Sequence, residues 1–386
     1  MNLKDLFGGS EDNKKSVSAP KSNIMLILII VFVLLCLIGY FIYKANKFVG
    51  TGGILITAGP YNYHVFTKND SIKYNTTGQI DYLIIGGGGS GGNVHGGGGG
   101  AGRVISGTID VTGISYPIVV GNGGIQPIMD STTIGYDRPV TIDVIGYNIP
   151  VTIDVIGKSY PIVVGNGGIQ PIMNSTQDCK GQDSSAFGVN AEGGGYGGGA
   201  GTGPASSGGS GGGGAGYITG NNKPVINGGI ANGSNGLGNK GGDGNADLIA
   251  GGGGGGGGSN SSGENGLLNR GDLTAQGGKG GLGTNKYSEW LNVIKNNMPQ
   301  TWKDAIGIGY IAAGGGGGSW ATEIQLGGNG GGGNGGSWQG SGSNVKLNID
   351  PTKGVQNTGS GGGGGGSNNR LGAPGGSGLV IIRYKN

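Results

Sequence analysis

The hydrophobic pattern divides the chain into unlike parts. Ile24 to Tyr43 reads IMLILIIVFVLLCLIGYFIY, an unbroken apolar block with no charged residue. Its twenty residues at a helical rise cover about 30 Å, the hydrocarbon thickness of a bilayer. Ile24 opens this span, Leu34 sits at its middle, and Tyr43 closes it beside Tyr40, where interfacial aromatic residues belong. The block is too long for the apolar part of a cleaved leader, and no small-residue cleavage word follows it. The expectation is a transmembrane helix over 23–44, preceded by a polar inner tail over 1–22 and followed by a linker over 45–60. Lys4, Lys14, Lys15 and Lys21 precede the block, whereas Lys44 and Lys47 follow it closely. The positive-inside rule then places the N-terminus inside and residues 61–386 on the far side.

After the block the pattern changes to short β-branched and aromatic runs. Ile54–Thr57, Tyr63–Phe66 and Ile80–Ile85 predict strands, and Leu379–Tyr384 predicts a terminal one. Residues 108–132 and 152–176 agree at 22 of 25 positions, a near-identical duplication at a spacing of 44. Its TIDV and YPIVV words read as strands and GNGG as a turn, so the extra copy is expected to add a strand pair, the alternative being a tolerated loop insertion with no new role. One stretch has helical spacing: over 286–306, Trp290, Ile294 and Met298 fall on one stripe, and Pro299 breaks it.

Composition decides what lies between these elements. The chain has 102 glycines in 386 residues, against an ordinary usage of about 7%. The glycines come in runs, eight together at 251–258 and six at 361–366, which excludes a collagen repeat. Too few apolar residues remain outside the N-terminal block for a large conventional core. A disordered linker would be uniformly polar, yet apolar strands bracket the glycine region and apolar words interrupt it. The ordered alternative is a bundle of polyglycine II helices. These have three residues per turn and no internal hydrogen bonds, so their backbones must bond to neighbours. The fold class expected is therefore mainly β with a polyglycine II-type bundle, one N-terminal transmembrane helix and one short helical insert.

Charge and candidate chemistry narrow the function. The net charge of +3 with 12% charged residues gives no clustered basic face, so nucleic acid is not an expected partner. Two cysteines, Cys36 and Cys179, and two histidines, His64 and His95, provide no metal or catalytic constellation. Gly86, Gly88 and Gly91 match the dinucleotide word G-x-G-x-x-G, but no helix pattern follows them. GGDGNADLI at 241–249 approximates a calcium-binding nonapeptide, with Asp243 and Asp247 as its carboxylates, and stands unrepeated. Asp110, Asp143 and Asp154 recur inside TIDV words and read as structural. The expectation is no enzyme, no cofactor and no metal. GGSW occurs at 317–320 and 335–338. Its Trp320 and Trp338 are read either as partner contacts at loop tips or as caps on the glycine lattice. Trp290 and Trp302 are read either as contacts or as anchors of the helical insert.

The order of words carries a resemblance. IDYLIIGGGGSGG at 80–92, GGGGGAGRV at 96–104, YPIVVGNGG at 160–168, GQDSSAFG at 181–188 and GGSGLVIIRY at 375–384 together resemble the glycine-rich domain of phage tail-tip adhesins. Similar domains occur in large eukaryotic DNA virus proteins. The resemblance implies a β framework supporting polyglycine helices, with loops between the runs contacting a host receptor. The membrane anchor, the duplication and the tryptophan-bearing insert depart from the phage pattern. The anchor fits a virus with an internal membrane, or a cell surface. The functional expectation is a membrane-anchored virion or surface protein, with the lipid bilayer and a host-surface receptor as partners. The alternative is a minor capsid or spacer protein tying an internal membrane to capsid proteins.

Overall fold

A computed structural model describes residues 21–111, 115–119, 179–199, 203–216, 225–229, 238–246, 251–269, 274–320, 323–341, 344–367 and 370–386. The inner tail, apart from its last two residues, and the second copy of the duplication lie outside the described residues. Two compact units divide at Phe48 and Val49.

The first unit contains one helix, α1 (Lys21–Asn46). Its Met25–Lys44 portion is long and apolar enough to cross a membrane, with none of that window buried by protein. The absence of any interior Pro or charge lets the backbone bonds run uninterrupted.

The second unit begins earlier than the expected boundary at 61. Strands β1 (Gly50–Thr51) and β2 (Ile54–Ala58) occupy residues assigned to a linker. Pairing holds them there: β1 joins β4 (Asp70–Tyr74), and β2 joins β3 (Tyr61–Phe66). The framework continues with β5 (Gly78–Ile85), β6 (Val104–Val111), β7 (Ser115–Val119), β8 (Ser184–Ala186) and β9 (Val189–Ala191). Short strand pairs follow within the glycine region: β10 (Val225–Ile226), β11 (Gly244–Ala246), β12 (Gly251–Gly252), β13 (Leu267–Asn269) and β14 (Thr274–Gln276). Helices α2 (Ser288–Ile294) and α3 (Gln300–Ile306) come next, then β15 (Ser337–Ser341), β16 (Asn344–Ile349) and β17 (Leu379–Lys385).

Two antiparallel five-stranded sheets carry the framework, in the orders β2-β3-β17-β5-β6 and β1-β4-β7-β8-β9. The C-terminal strand lies at the centre of the first, bonded to β3 and β5. The TIDV and YPIV words of the first duplicated copy do not pair with each other. Val111 ends β6, paired to β5 in the first sheet, whereas β7 pairs with β4 and β8 in the second.

Alternation along the strands of the first sheet assigns its two faces. Tyr63, Val65, Leu83, Ile85, Leu379 and Ile381 form one cluster with Trp290, Leu291, Ile294, Met298, Trp302 and Ile306 of the helical insert. The predicted stripe is thus the docking face. Pro299 splits the insert in two, starting α3 where its missing N–H costs nothing. Arg383 locks the contact: its guanidinium lies 4.3 Å from the Trp290 ring and 4.5 Å from Tyr61, with Asp81 at 3.1 Å. On the opposite face, Tyr384 stacks on His64 and meets Tyr74 of the second sheet edge-on.

The sheets do not stop at their ends; their register runs on into glycine. Ile85 pairs with Val104 at the end of β5 and β6. Beyond them Gly86 N–H donates to Arg103 O, Gly89 to Gly100 O and Gly92 to Gly97 O. The pairing sum is conserved while the bonding interval lengthens from two residues to three. The β5–β17 register likewise continues as Gly88 to Gly376 O and Gly91 to Ala373 O.

The same interval organises the interior. In the run 96–102, Gly97 and Gly100 donate to Gly198 and Gly195, Gly98 and Ala101 to Gly254 and Gly257, and Gly99 and Gly102 to Gly362 and Gly359, at 2.8–2.9 Å. Its carbonyls accept from Gly92 and Gly89, from Gly213 and Ser210, and from Gly318 and Gly315. One segment therefore bonds to six neighbours, and every donor is used. At its glycine positions this closeness leaves no room for a side chain. A Cβ on Gly97 would stand 1.9 Å from Gly213 O, and one on Gly256 would stand 1.9 Å from Gly99 O. Backbone, not apolar side chain, fills this core.

Two outcomes follow. In the full-length protein, amide exchange of residues 253–258 and 361–365 should be slowed to the rate of β5 and β17; exchange at coil rates in these runs would contradict the bonding pattern. Gly256→Ala should cost at least about 3 kcal/mol in chemical unfolding, because backbone cannot yield to the new methyl. Gly59→Ala, with φ of 56° and no atom within 4 Å of the added carbon, should cost only about 1–2 kcal/mol.

Candidate functional site

The two GGSW words are brought together by register. Ser319 and Ser337 form a parallel bridge, and Ser319 N–H donates to Gly336 O. Equivalent positions of the two words therefore lie side by side, and Trp320 meets Trp338 edge-on at 4.9 Å. His95 completes the group. It sits in the turn between two glycine runs, after Val94, and both residues have positive φ, 37° and 53°. That tight reversal is unusual for a β-branched residue. It lays the imidazole parallel to the Trp320 ring at 5.8 Å. His95 Nδ1 lies 2.8 Å from Gly251 O, which assigns the ring proton to Nδ1.

Trp338 is 8% exposed, and its indole N–H has no hydrogen-bond partner. Trp320 is half-buried and holds an isolated bridge to Ala275 through its backbone. Each ring follows directly on a glycine run, one residue after the Ser319–Ser337 bridge. Trp290 is also 8% exposed, and Trp302 is 1% exposed with its indole N–H donating to Asn357 O at 2.8 Å. These two side chains anchor the insert, and Trp302 leaves no face for a partner. The partner-contact alternative does not fit Trp302 for that reason.

The remaining sequence candidates have their chemistry already committed. The N–H groups of Gly86, Gly88 and Gly91 donate to Arg103, Gly376 and Ala373 carbonyls, so none can cradle a phosphate. Asp243 is held by Lys240 at 2.9 Å and accepts the Gly228 N–H. Desolvation pushes its carboxyl up, but these partners outweigh it and hold it below the usual value. Asp247, Asp143 and Asp154 lie outside the described residues. Asp110 accepts from Gln79 on the exposed face of β6. Among the described residues no three His, Cys, Asp or Glu side chains gather as a metal site.

Sequence reasoning overlooked the most exposed apolar residue of the second unit's loops. Ile308, 73% exposed, stands in the turn after α3. Its signal was local: an isoleucine between two glycines, Gly307 and Gly309, both with positive φ.

The sequence model of the glycine-rich domain matches residues 67–135 and 143–385. The chain belongs to the glycine-rich domain family. The matched segments cover β4 to β17 and every glycine run described above, whereas β1, β2 and β3 precede them; the lattice and most of its framework are this domain. No curated protein matches the chain, and no solved structure matches it.

The two buried histidines give the glycine-rich domain a pH dependence. Burial pushes both His64 and His95 below the ordinary value, opposed by a bond to Gly52 O and to Gly251 O respectively. A depressed histidine leaves full stability above about pH 6.5. Below it the unfolded chain takes up protons that the folded chain refuses. Stability should therefore fall as pH drops from 7.5 to 5.5 in urea titrations, and His95→Gln should flatten that slope. An equal slope in the variant would show that His95 does not contribute.

Proposed function

We propose that this glycine-rich domain protein is a membrane-anchored surface module, of the phage tail-tip adhesin type, displayed on a virion or cell. In this reading α1 spans the bilayer with the N-terminus inside. The glycine runs pack as polyglycine II helices, and the loops between them contact a host or partner surface. The three-residue hydrogen-bond interval, with six neighbours around residues 96–102, is the observation that carries it. It supports a rigid body whose only variable chemistry lies in its connections. The turn bearing Ile308 and the half-buried Trp320 at the GGSW end are the contacts proposed.

A second reading, a spacer or minor capsid component between a membrane and a protein shell, is favoured by one observation. The burial of Trp290, Trp302 and Trp338 removes the aromatic surface that receptor contacts usually need. Protease accessibility of residues 61–386 on the intact particle or cell separates the two. Cleavage of the exposed loops from outside is the expected result. Protection until an outer shell is opened would overturn the display reading in favour of the spacer, and the family likeness would then concern fold alone.

A further inference from the structure

Three exposed apolar side chains lie just after α1: Val49, Ile54 and Leu55, at 39%, 44% and 55% exposure. They belong to the start of the second unit, where β1 and β2 are joined by a turn through Gly52 and Gly53 at φ of 139° and 59°. β2 is the outer strand of its sheet. Its sequence ILITA contains no charge, proline or bulge of the kind that protects an open edge. The opposite edge strand, β6, is treated differently: Ser106, Thr108 and Asp110 along it are engaged with Tyr287, Asp81 and Gln79.

Chain length limits how far this patch can be from a bilayer. From Asn46, the last residue of α1, to Gly50, the first of β1, the chain reaches at most about 14 Å when fully extended. The β1–β2 turn is also tied to the β3–β4 turn, because Gly53 N–H donates to Asp70 Oδ2 at 3.2 Å. That neighbouring turn carries Lys68, and Lys73 pairs with Thr51 of β1; both lysines are exposed. Aliphatic side chains flanked by amines suit the headgroup zone of a bilayer with anionic lipids, where apolar groups leave water and ammonium groups meet phosphate.

We infer that Val49, Ile54 and Leu55, with Lys68 and Lys73 around them, seat on an anionic lipid surface. The seat fixes the base of the glycine-rich domain to the membrane in addition to the tether through α1. This inference rests on the reading of α1 as a membrane anchor.

The test uses the full chain reconstituted in phosphatidylcholine–phosphatidylserine vesicles whose acyl chains are brominated near the headgroups. Leu55→Trp should add fluorescence that brominated vesicles quench at least twofold, beyond any quenching of the wild-type tryptophans. Ile54→Trp serves as an independent probe on the other face of the same strand. Replacing phosphatidylserine by phosphatidylcholine should weaken the quenching. Resistance to alkaline carbonate extraction reads the anchor separately. Protein that stays with the vesicles while both probes remain unquenched overturns the lipid seat alone. Unquenched but blue-shifted probes indicate an edge covered by a second copy and overturn it equally. Protein released by carbonate overturns the anchor and the seat together.

Discussion

The structure depends on one interaction, the hydrogen bond between glycine backbones with no Cβ between them. A side-chain core gains stability from apolar area, which this chain lacks outside α1 and the sheet clusters. The glycine core instead gains from a complete exchange of donors and acceptors. Each bond contributes only about 1 kcal/mol net, while an orphaned buried N–H costs about 1–3 kcal/mol. Ordering glycine is also entropically expensive. Such a core is therefore stable only when nearly all its bonds are made together. The segment 96–102 shows the consequence: displacing it would strip partners from six other segments at once.

A lattice without side chains cannot choose its own register, because every glycine offers the same surface. The sheets supply that choice. β5, β6 and β17 are specified by alternating apolar residues packed against the insert and the second sheet. Their pairing continues into the runs at 86–92, 97–103 and 373–376 with the register unchanged. Small buried side chains do the same inside the lattice. Ser90 donates to Cys179 O, and Ser360 donates to Gly330 O; each marks a position that a slipped run could not reproduce. The helical insert matters for the same reason. By clamping Arg383 between Tyr61 and Trp290 it stabilises the sheet from which the lattice is set.

Where side chains decide, the sequence was legible. The strands at 54–57, 63–66, 80–85 and 379–384 follow from alternation, and the insert's stripe and its break at Pro299 follow from helical spacing. The apolar span of α1 follows from length alone. The pairing of Trp320 with Trp338 was foreshadowed by the repeated GGSW word, but its third member was not. His95 reaches Trp320 only through a turn with two positive φ values, and nothing in Asn93–Val94–His95 announces that conformation. The partners of each glycine run were equally hidden. A run of identical residues carries no information about which of many identical neighbours it meets, so that pattern emerges only once the strands have fixed the starting points.

This division of labour bears on how such a domain accommodates change. Inside the lattice, substitution is nearly closed: at Gly97 or Gly256 even a methyl group would fall within 2 Å of a carbonyl oxygen. At the turns the steric constraint is absent, as at Gly188 and Gly307, where an added carbon meets nothing within 4 Å, and only their positive φ of 75° and 52° still disfavours a side chain. A chain built this way can vary only where runs reverse, so sequence diversity is driven to the ends of the body. Apolar and aromatic side chains sit in those connections: His95 in one, and the α2–α3 insert with Ile308 in the turn after it in another. The near-identical duplication begins in β6 and β7, which are framework rather than lattice.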